Sequence, residues 1–360
     1  MKRILLHILF YSLILTHCST QEIATVDDTN RFPVLAYNSE IIETLTLNRE
    51  NIEIDTSREF TYWSQHFQNP KNDLNNIYTN SLFKKKNKLN NSAKGPTNII
   101  QPVYFADNIC LISNDGFLEC YDTLTEKLNF KTNIKPEGID KYEIIRGGIA
   151  YFNNKIVSVD AYGQIVLVDS VNGSVLWSSN IGFPILSPPL IYRDYIYFVS
   201  SDNRVFCITL DDGRVEWSFQ TISETRKNLH TASPVAHENT IIVPFSNGEL
   251  VAFLYDSGRP IWSESVSKVT MVSNFDIKDI SASPVIYKNN LFALSSNGKL
   301  ASVNIINGQR NWSINLSGYR TPLVTGNQIY VINNDGKLVC IDIKSGDIYW
   351  ISNLGKFRKG

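Results

Sequence analysis

The side chains of this 360-residue chain best able to do chemistry are its five cysteines and five histidines, and their spacing argues against most of it. A metal centre needs three or four ligands converging on one point. The histidines are scattered, and His230 and His237 lack a third partner, so no metal is expected and both read as surface histidines. Five cysteines in a chain this long are too few for a disulfide scaffold. Cys120, Cys207 and Cys340 occupy one slot of a repeat described below, which reads as a small buried hydrophobe and not a nucleophile. Cys110 differs. A three-residue loop Asn114-Asp115-Gly116 pairs Ser113 with Phe117 and so sets Cys110 opposite Cys120, where a cross-strand disulfide is possible in an oxidising compartment. No acid–base pair stands out, and no cofactor is expected.

Charge narrows the partners. Lys plus Arg total 34 and Asp plus Glu 35, a net charge of −1 that gives no electrostatic reason to bind nucleic acid. Hydrophobic residues make up 43% and charged residues 19%, enough to bury a core and to exclude wholesale disorder. Met1-Lys2-Arg3 followed by the apolar run Ile4 to Leu15 has the order of a secretory signal, assigned to residues 1–17. Cys18 ends that run and resembles the lipidated cysteine of bacterial lipoproteins, although His17 stands where a small residue is usual. The alternative is an ordinary signal peptide with an incidental Cys18. No later stretch reaches ~18 uninterrupted apolar residues. Residues 18–60 lack periodicity and read as a lipidated N-terminus and flexible tether, and the Asn- and Lys-rich stretch from Asn69 to Lys94 as solvated loop.

The elements that position any site come from a repeat. Gly163 leads ten residues on to Gly173 and four more to Trp177. Asn203, Gly213 and Trp217 repeat the spacing, as do Gly248, Gly258 and Trp262, then Gly298, Gly308 and Trp312, then Gly336, Gly346 and Trp350. A first copy runs Gly116, Glu126, Phe130. Upstream of four copies stands Ser187-Pro188, Ser233-Pro234, Ser283-Pro284 or Thr321-Pro322, with Gln101-Pro102 a looser version and Arg146-Gly147-Gly148 in the second copy. Short alternating runs separated by turn residues at fixed offsets predict four antiparallel strands per copy, an all-β chain. In the fifth copy these are Val285 to Tyr287, Leu291 to Leu294, Lys299 to Asn304, and a strand beginning at Arg310. One such sheet has two apolar faces and cannot stand alone, so the copies must stack about an axis as a β-propeller. The slot four residues after each anchor holds Cys120, Leu167, Cys207, Ala252, Ser302 and Cys340, mostly small as a crowded position between blades requires. The recurrent tryptophan reads as packing between blades, not a ligand platform.

The glycine–tryptophan copies resemble the repeats of pyrroloquinoline quinone (PQQ) enzymes. They resemble more closely the BamB family of outer-membrane assembly lipoproteins, particularly its alphaproteobacterial forms, over residues 61 to 355. Tyr62-Trp63-Ser64-Gln65 with Asn69-Pro70 looks like that family's entry segment (61–97), and Ile145 to Tyr151 like one of its strands. Asn228 to Pro234 and Pro244 to Leu250 look like its middle blades and Asp279 to Pro284 like its Asp-rich inter-blade loop, within a propeller at 98–355 and before a basic tail at 356–360. The resemblance implies a non-enzymatic, lipid-anchored scaffold on the periplasmic face of the outer membrane. Its inter-blade loops would contact the POTRA domains of a BamA-like insertase and other assembly subunits. Partner residues carried over by position are Leu229, His230, Asp279 and Ser281, with the family's arginine missing at His230 and its second acid missing at Ser281. A turn-capping role is the alternative reading of Asp279.

Two rivals stand beside this reading. A quinone-dependent dehydrogenase would show a bound chromophore and dye reduction on adding quinone and calcium; vicinal cysteines, typical of those enzymes, are missing from this sequence. A ligand-binding or adhesion propeller would show a polar pocket at its axis. The family usually has eight blades, and six copies are readable. Either the segment from Trp63 to Leu89 supplies strands to a smaller ring, or the chain is a fragment or truncated gene model, which is the expectation.

Overall fold

The computed structural model describes residues 52–74, 76–78, 100–139, 147–223, 232–267, 279–296 and 298–357. These residues form six four-stranded antiparallel sheets, each a meander of consecutive strands, and one short parallel pair, β1 (Arg58–Glu59) with β2 (Ile77–Tyr78). Blade 1 contains β3 (Val103–Phe105), β4 (Asn108–Ile112), β5 (Phe117–Asp122) and β6 (Leu128–Asn133). Blade 2 contains β7 (Gly147–Phe152), β8 (Lys155–Asp160), β9 (Gln164–Asp169) and β10 (Val175–Asn180). Blade 3 contains β11 (Leu190–Tyr192), β12 (Tyr195–Val199), β13 (Arg204–Thr209) and β14 (Val215–Gln220). Blade 4 contains β15 (Val235–His237), β16 (Thr240–Pro244), β17 (Glu249–Leu254) and β18 (Pro260–Ser265). Blade 5 contains β19 (Val285–Tyr287), β20 (Asn290–Leu294), β21 (Leu300–Asn304) and β22 (Arg310–Ile314). Blade 6 contains β23 (Leu323–Thr325), β24 (Gln328–Ile332), β25 (Lys337–Asp342) and β26 (Ile348–Asn353).

In blades 2 to 4 the two middle strands are buried on both faces, whereas the fourth alternates with solvent. First strands face inward: β3 approaches β7, β7 approaches β11, and β19 lies between β15 and β23. Hydrophobic clusters accordingly lie between blades. Val103, Phe105, Leu118 and Cys120 of blade 1 pack on Ile149, Ile156, Val166 and Val168 of blade 2. Val285, Phe292, Leu294 and Leu300 of blade 5 pack in the same way on Val324, Ile329, Val339 and Ile341 of blade 6. Each such side chain contributes about 1.5–3 kcal/mol when fully buried.

The two ends of the stack differ from its middle. Blade 6 carries Leu323, Tyr330, Ile332 and Leu338 on the face where blade 5 carries Val285, Phe292, Leu294 and Leu300. Leu323 is 38% exposed and Ile332 43%, against 1% and 0% for Val285 and Leu294. On blade 1, the positions occupied elsewhere by Val166 and Val168 or by Val339 and Ile341 hold Glu119 and Tyr121. Glu119 is 2% exposed and is held by Lys131 Nζ at 2.9 Å and the Tyr121 hydroxyl at 2.7 Å.

The segment preceding blade 1 adds no strand to any blade over its described residues. The alternative in which Trp63 to Leu89 supplies strands to a smaller ring finds none there as far as Tyr78, and residues 79–89 lie outside the described residues. The segment's described residues, 52–74 and 76–78, run along the inner edge, joined to blade 1 by the single bridge Trp63–Tyr104. The tether placed at 18–60 also ends earlier, because Glu53 and Asp55 are already hydrogen-bonded to blade 6. Contacts of this kind pair one backbone N–H with one isolated polar side chain and leave no periodicity to read.

Candidate functional site

With no reacting constellation in the sequence, the repeated structure between blades is where function must be sought. In each blade the recurrent aromatic residue of the fourth strand lies directly across from the repeat slot of the third: Cys120 faces Phe130, Cys207 faces Trp217, Ala252 faces Trp262, and Ser302 faces Trp312. Leu167 faces Trp177 and Cys340 faces Trp350. Opposed residues share one face of a sheet, so a large ring on one strand demands a small partner on the other. The register shifts immediately beyond this pair in every blade, a bulge that tips the ring out of the sheet.

The ring then lies on the glycine of the following blade. A Cβ on Gly173 would sit 2.5 Å from Phe130, on Gly213 2.8 Å from Trp177, and on Gly258 2.4 Å from Trp217. On Gly308 it would lie 2.6 Å from Trp262 and on Gly346 2.7 Å from Trp312. Each indole N–H also donates to a carbonyl three residues before that glycine: Trp177 to Leu210 at 3.1 Å, Trp217 to Tyr255 at 3.2 Å, Trp262 to Ile305 at 3.1 Å and Trp312 to Ile343 at 3.1 Å. The glycine, the small slot and the tryptophan are therefore one staple. The equivalent turn position in blade 1 is Glu126, at φ 59°, in place of the glycine on which a ring rests in the other blades.

The Ser/Thr-Pro signature has a related role that the sequence reading did not assign. Ser233 N–H donates to Ser283 Oγ at 3.0 Å, and Ser283 N–H to Thr321 Oγ1 at 3.1 Å. The hydroxyls thus pass a hydrogen bond from blade 4 through blade 5 to blade 6.

Asp279 and Ser281 lie in the connection entering blade 5 and are 1% and 7% exposed. The Asp279 carbonyl accepts hydrogen bonds from Ser296 N at 3.0 Å and Ser296 Oγ at 2.9 Å, as the Pro184 carbonyl accepts from Ser201 N in blade 3. Asp279 is thus built into the inter-blade connection and is not an exposed surface charge. Leu229, His230 and Cys18 lie outside the described residues. Among the described residues no group of three or more His, Cys, Asp or Glu could hold a metal ion. Cys110 and Cys120 face each other across β4 and β5 and are joined by a disulfide. Cys207 and Cys340 are buried free thiols; burial pushes them up to about 12 and about 11, far from the thiolate a nucleophile needs.

Stapled four-stranded blades with this glycine–tryptophan grammar can be compared with known proteins. The family model for outer membrane protein assembly factor BamB matches residues 98–352, all six blades. The chain belongs to the BamB family. An outer membrane protein assembly factor BamB from Nitrosomonas eutropha is 23% identical over 191 residues, 53% of this chain and 45% of its own. An uncharacterised protein, RC0314, from Rickettsia conorii is 22% identical over 209 residues, 57% and 50% of the two chains. The chain thus spans about half the length of the curated relatives it matches. The crystal structure of BamB from Moraxella catarrhalis superposes with a TM-score of 0.65 at 20% identity, covering 71% of this chain and 75% of that one. A quinohemoprotein alcohol dehydrogenase from Comamonas testosteroni reaches 0.50 at 10% identity, covering 71% and 67%, a likeness of fold alone. In this member of the BamB family the ring-on-glycine contact recurs at the five successive junctions from blade 1 to blade 6.

Proposed function

We propose that this chain is a non-enzymatic scaffold of outer-membrane β-barrel assembly, held on the periplasmic face of the outer membrane through a lipid on Cys18. It binds the POTRA domains of a BamA-like insertase, alongside other assembly subunits, through the loops that join its middle blades. The observation that carries this reading is the match to the BamB family across the whole blade region, 98–352. The chemistry of the described residues agrees with it. The recurring polar and aromatic side chains are consumed in holding blades together, and the free thiols are buried and neutral. A rigid stack of this kind presents loops at fixed spacing, which favours binding by pre-organisation over turnover. Exposed strand edges add a second mode, pairing with an extended partner segment.

Leu229, His230, Asp279 and Ser281 mark the two connections proposed to meet the partner. Asp279 is buried, so it acts by holding its connection in shape while residues further along the connection make contact. The test is co-elution of the purified protein with the POTRA region of its cognate insertase. Asp279→Arg places a long cation at this buried position and deforms the connection, and is expected to weaken co-elution. Full binding by this variant would remove the connection before blade 5 from the interface. Absence of co-elution by the wild-type protein would overturn the scaffold reading.

A further inference from the structure

The first strand of a propeller blade has one edge paired and one edge bare, and bare backbone N–H groups away from water must find acceptors. Here a single residue position recurs at that edge. Tyr104, Tyr151, Ile191, Ala236 and Ile286 sit opposite Ile109, Ile156, Ile196, Ile241 and Leu291, the same place in five successive hairpins. All five amides donate to the segment that precedes blade 1. Tyr104 N–H donates to the Trp63 carbonyl at 2.8 Å, and Tyr151 N–H to the Ser64 carbonyl at 2.6 Å. Ile191 N–H donates to Gln65 Oε1 at 3.0 Å. Ala236 N–H donates to the Pro70 carbonyl at 2.7 Å, and Ile286 N–H to the Lys71 carbonyl at 2.9 Å. The acceptors follow the blades in order, one residue per blade, with a turn at 66–69 between blades 3 and 4.

Other features of a built site accompany this ladder. Gln65 and Asn72 are 4% and 3% exposed. Asn72 Nδ2 donates to Ser233 Oγ at 3.2 Å and to the Pro284 carbonyl at 3.0 Å, joining the hydroxyl relay of blades 4 to 6. Asn69 Oδ1 accepts from Lys71 N at 2.9 Å, an Asx turn that re-aims the chain after blade 3. Blade 6 is reached further upstream, where Asp55 accepts from Gly326 N at 3.0 Å and from the Tyr287 hydroxyl at 2.8 Å. The path from Asp55 to Trp63 therefore leads from blade 6 to blade 1, the pair that Glu126 leaves without an indole staple.

We propose that the inner edge of the blades is a binding site for one extended peptide, and that residues 62–73 of the same chain are its resident ligand. The ligand chemistry is defined: successive main-chain carbonyls aimed at a ring of backbone N–H donors, a carboxamide acceptor at the third blade, and a carboxamide donor at the fourth and fifth. The site takes a polypeptide, and the space nearest the blade axis is filled by chain.

Hydrogen exchange with mass-spectrometric readout on the full chain tests this. In the wild-type protein the amides of 104, 151, 191, 236 and 286 are expected to exchange as slowly as those of the middle strands. The double variant Gln65→Ala, Asn72→Ala removes side-chain hydrogen bonds from a buried ligand, and exchange at the five positions is expected to rise about tenfold or more. A synthetic peptide of residues 60–74, added in excess to the variant, is expected to restore protection there. Wild-type exchange at these amides as fast as at the outer strands would overturn the proposal, and that measurement stands even if the variant does not fold. Unchanged exchange in the variant, or a peptide that restores nothing, would overturn it equally.

Discussion

Replacing Gly258 by alanine separates packing at a blade junction from backbone strain. Gly258 has φ 64°, and an alanine Cβ there would stand 2.4 Å from Trp217 Cδ2, 2.7 Å from Cε3 and 2.8 Å from Cγ. The indole cannot retreat easily: its N–H is bonded to the Tyr255 carbonyl at 3.2 Å, and Phe253 lies against it at 5.6 Å between ring centres. Gly336 supplies the control, with φ 71° and nothing within 4 Å of an added Cβ. Gly336→Ala should cost only the left-handed backbone of an L-residue, about 1–2 kcal/mol. Gly258→Ala should cost that plus an overpacking penalty of about 1–3 kcal/mol. In a protein of this size 1 kcal/mol is worth about 2–4 °C of melting temperature, so calorimetry should place Gly258→Ala several degrees below Gly336→Ala. Trp217→Ala removes the obstacle, and on that background Gly258→Ala should fall back to the cost of the control, a coupling measurable by a double-mutant cycle. Equal costs for the two glycines, or additivity with Trp217→Ala, would refute the staple.

Three further outcomes are expected. Intact mass of the non-reduced protein, alkylated under denaturing conditions, should show Cys110 and Cys120 protected and Cys207 and Cys340 modified; modification of all four would remove the disulfide. Burial works against ionisation of Asp55, but Gly326 N–H, the Tyr287 hydroxyl, Lys288 and Thr325 together hold its carboxyl below the ordinary 3.8. Its grip on blade 6 is therefore complete above the unfolded value and lost as pH falls through the lower folded one. Protection of the Gly326 amide, taken relative to its intrinsic exchange rate at each pH, should fall in that acid range in the wild type, and at neutral pH already in Asp55→Asn. Gly326→Ala should destabilise the protein by about 1–3 kcal/mol, because a Cβ there would meet the Glu53 carbonyl oxygen at 1.8 Å. The same hairpin position holds Arg193, Glu238 and Lys288 at positive φ in other blades, and the turn itself accounts for about 1–2 kcal/mol, as expected of Gly336→Ala, so the excess over that control reports the bound segment. An unchanged melting temperature would remove Glu53 from the contact.

The blades were legible because their information is local. Strand length, turn glycines and the ten-and-four spacing of glycine and tryptophan are all set within one copy, and the register that pairs Cys110 with Cys120 follows from a three-residue loop. The reason for the spacing was less visible. That the glycine of one blade exists to receive the tryptophan of the blade before it, and that Glu126 marks a junction without this contact, needed neighbouring copies placed side by side. Asp279 shows the limit of positional transfer, since a residue matched by sequence to an interface acid turns out to be 1% exposed.

By itself, then, the order of residues determined an all-β stack of six four-stranded blades, because alternation, turn chemistry and repeat spacing act over a few residues. Only the tertiary structure decided what fills the inner edge. Trp63, Ser64, Gln65, Pro70 and Lys71 carry no periodicity, and four of the five meet their donors through main-chain carbonyls that every residue type shares. Hydrogen bonds made by the backbone between residues 41 to 215 positions apart leave almost no trace in side-chain identity, so the ring of donors had to be assembled before its ligand could be recognised.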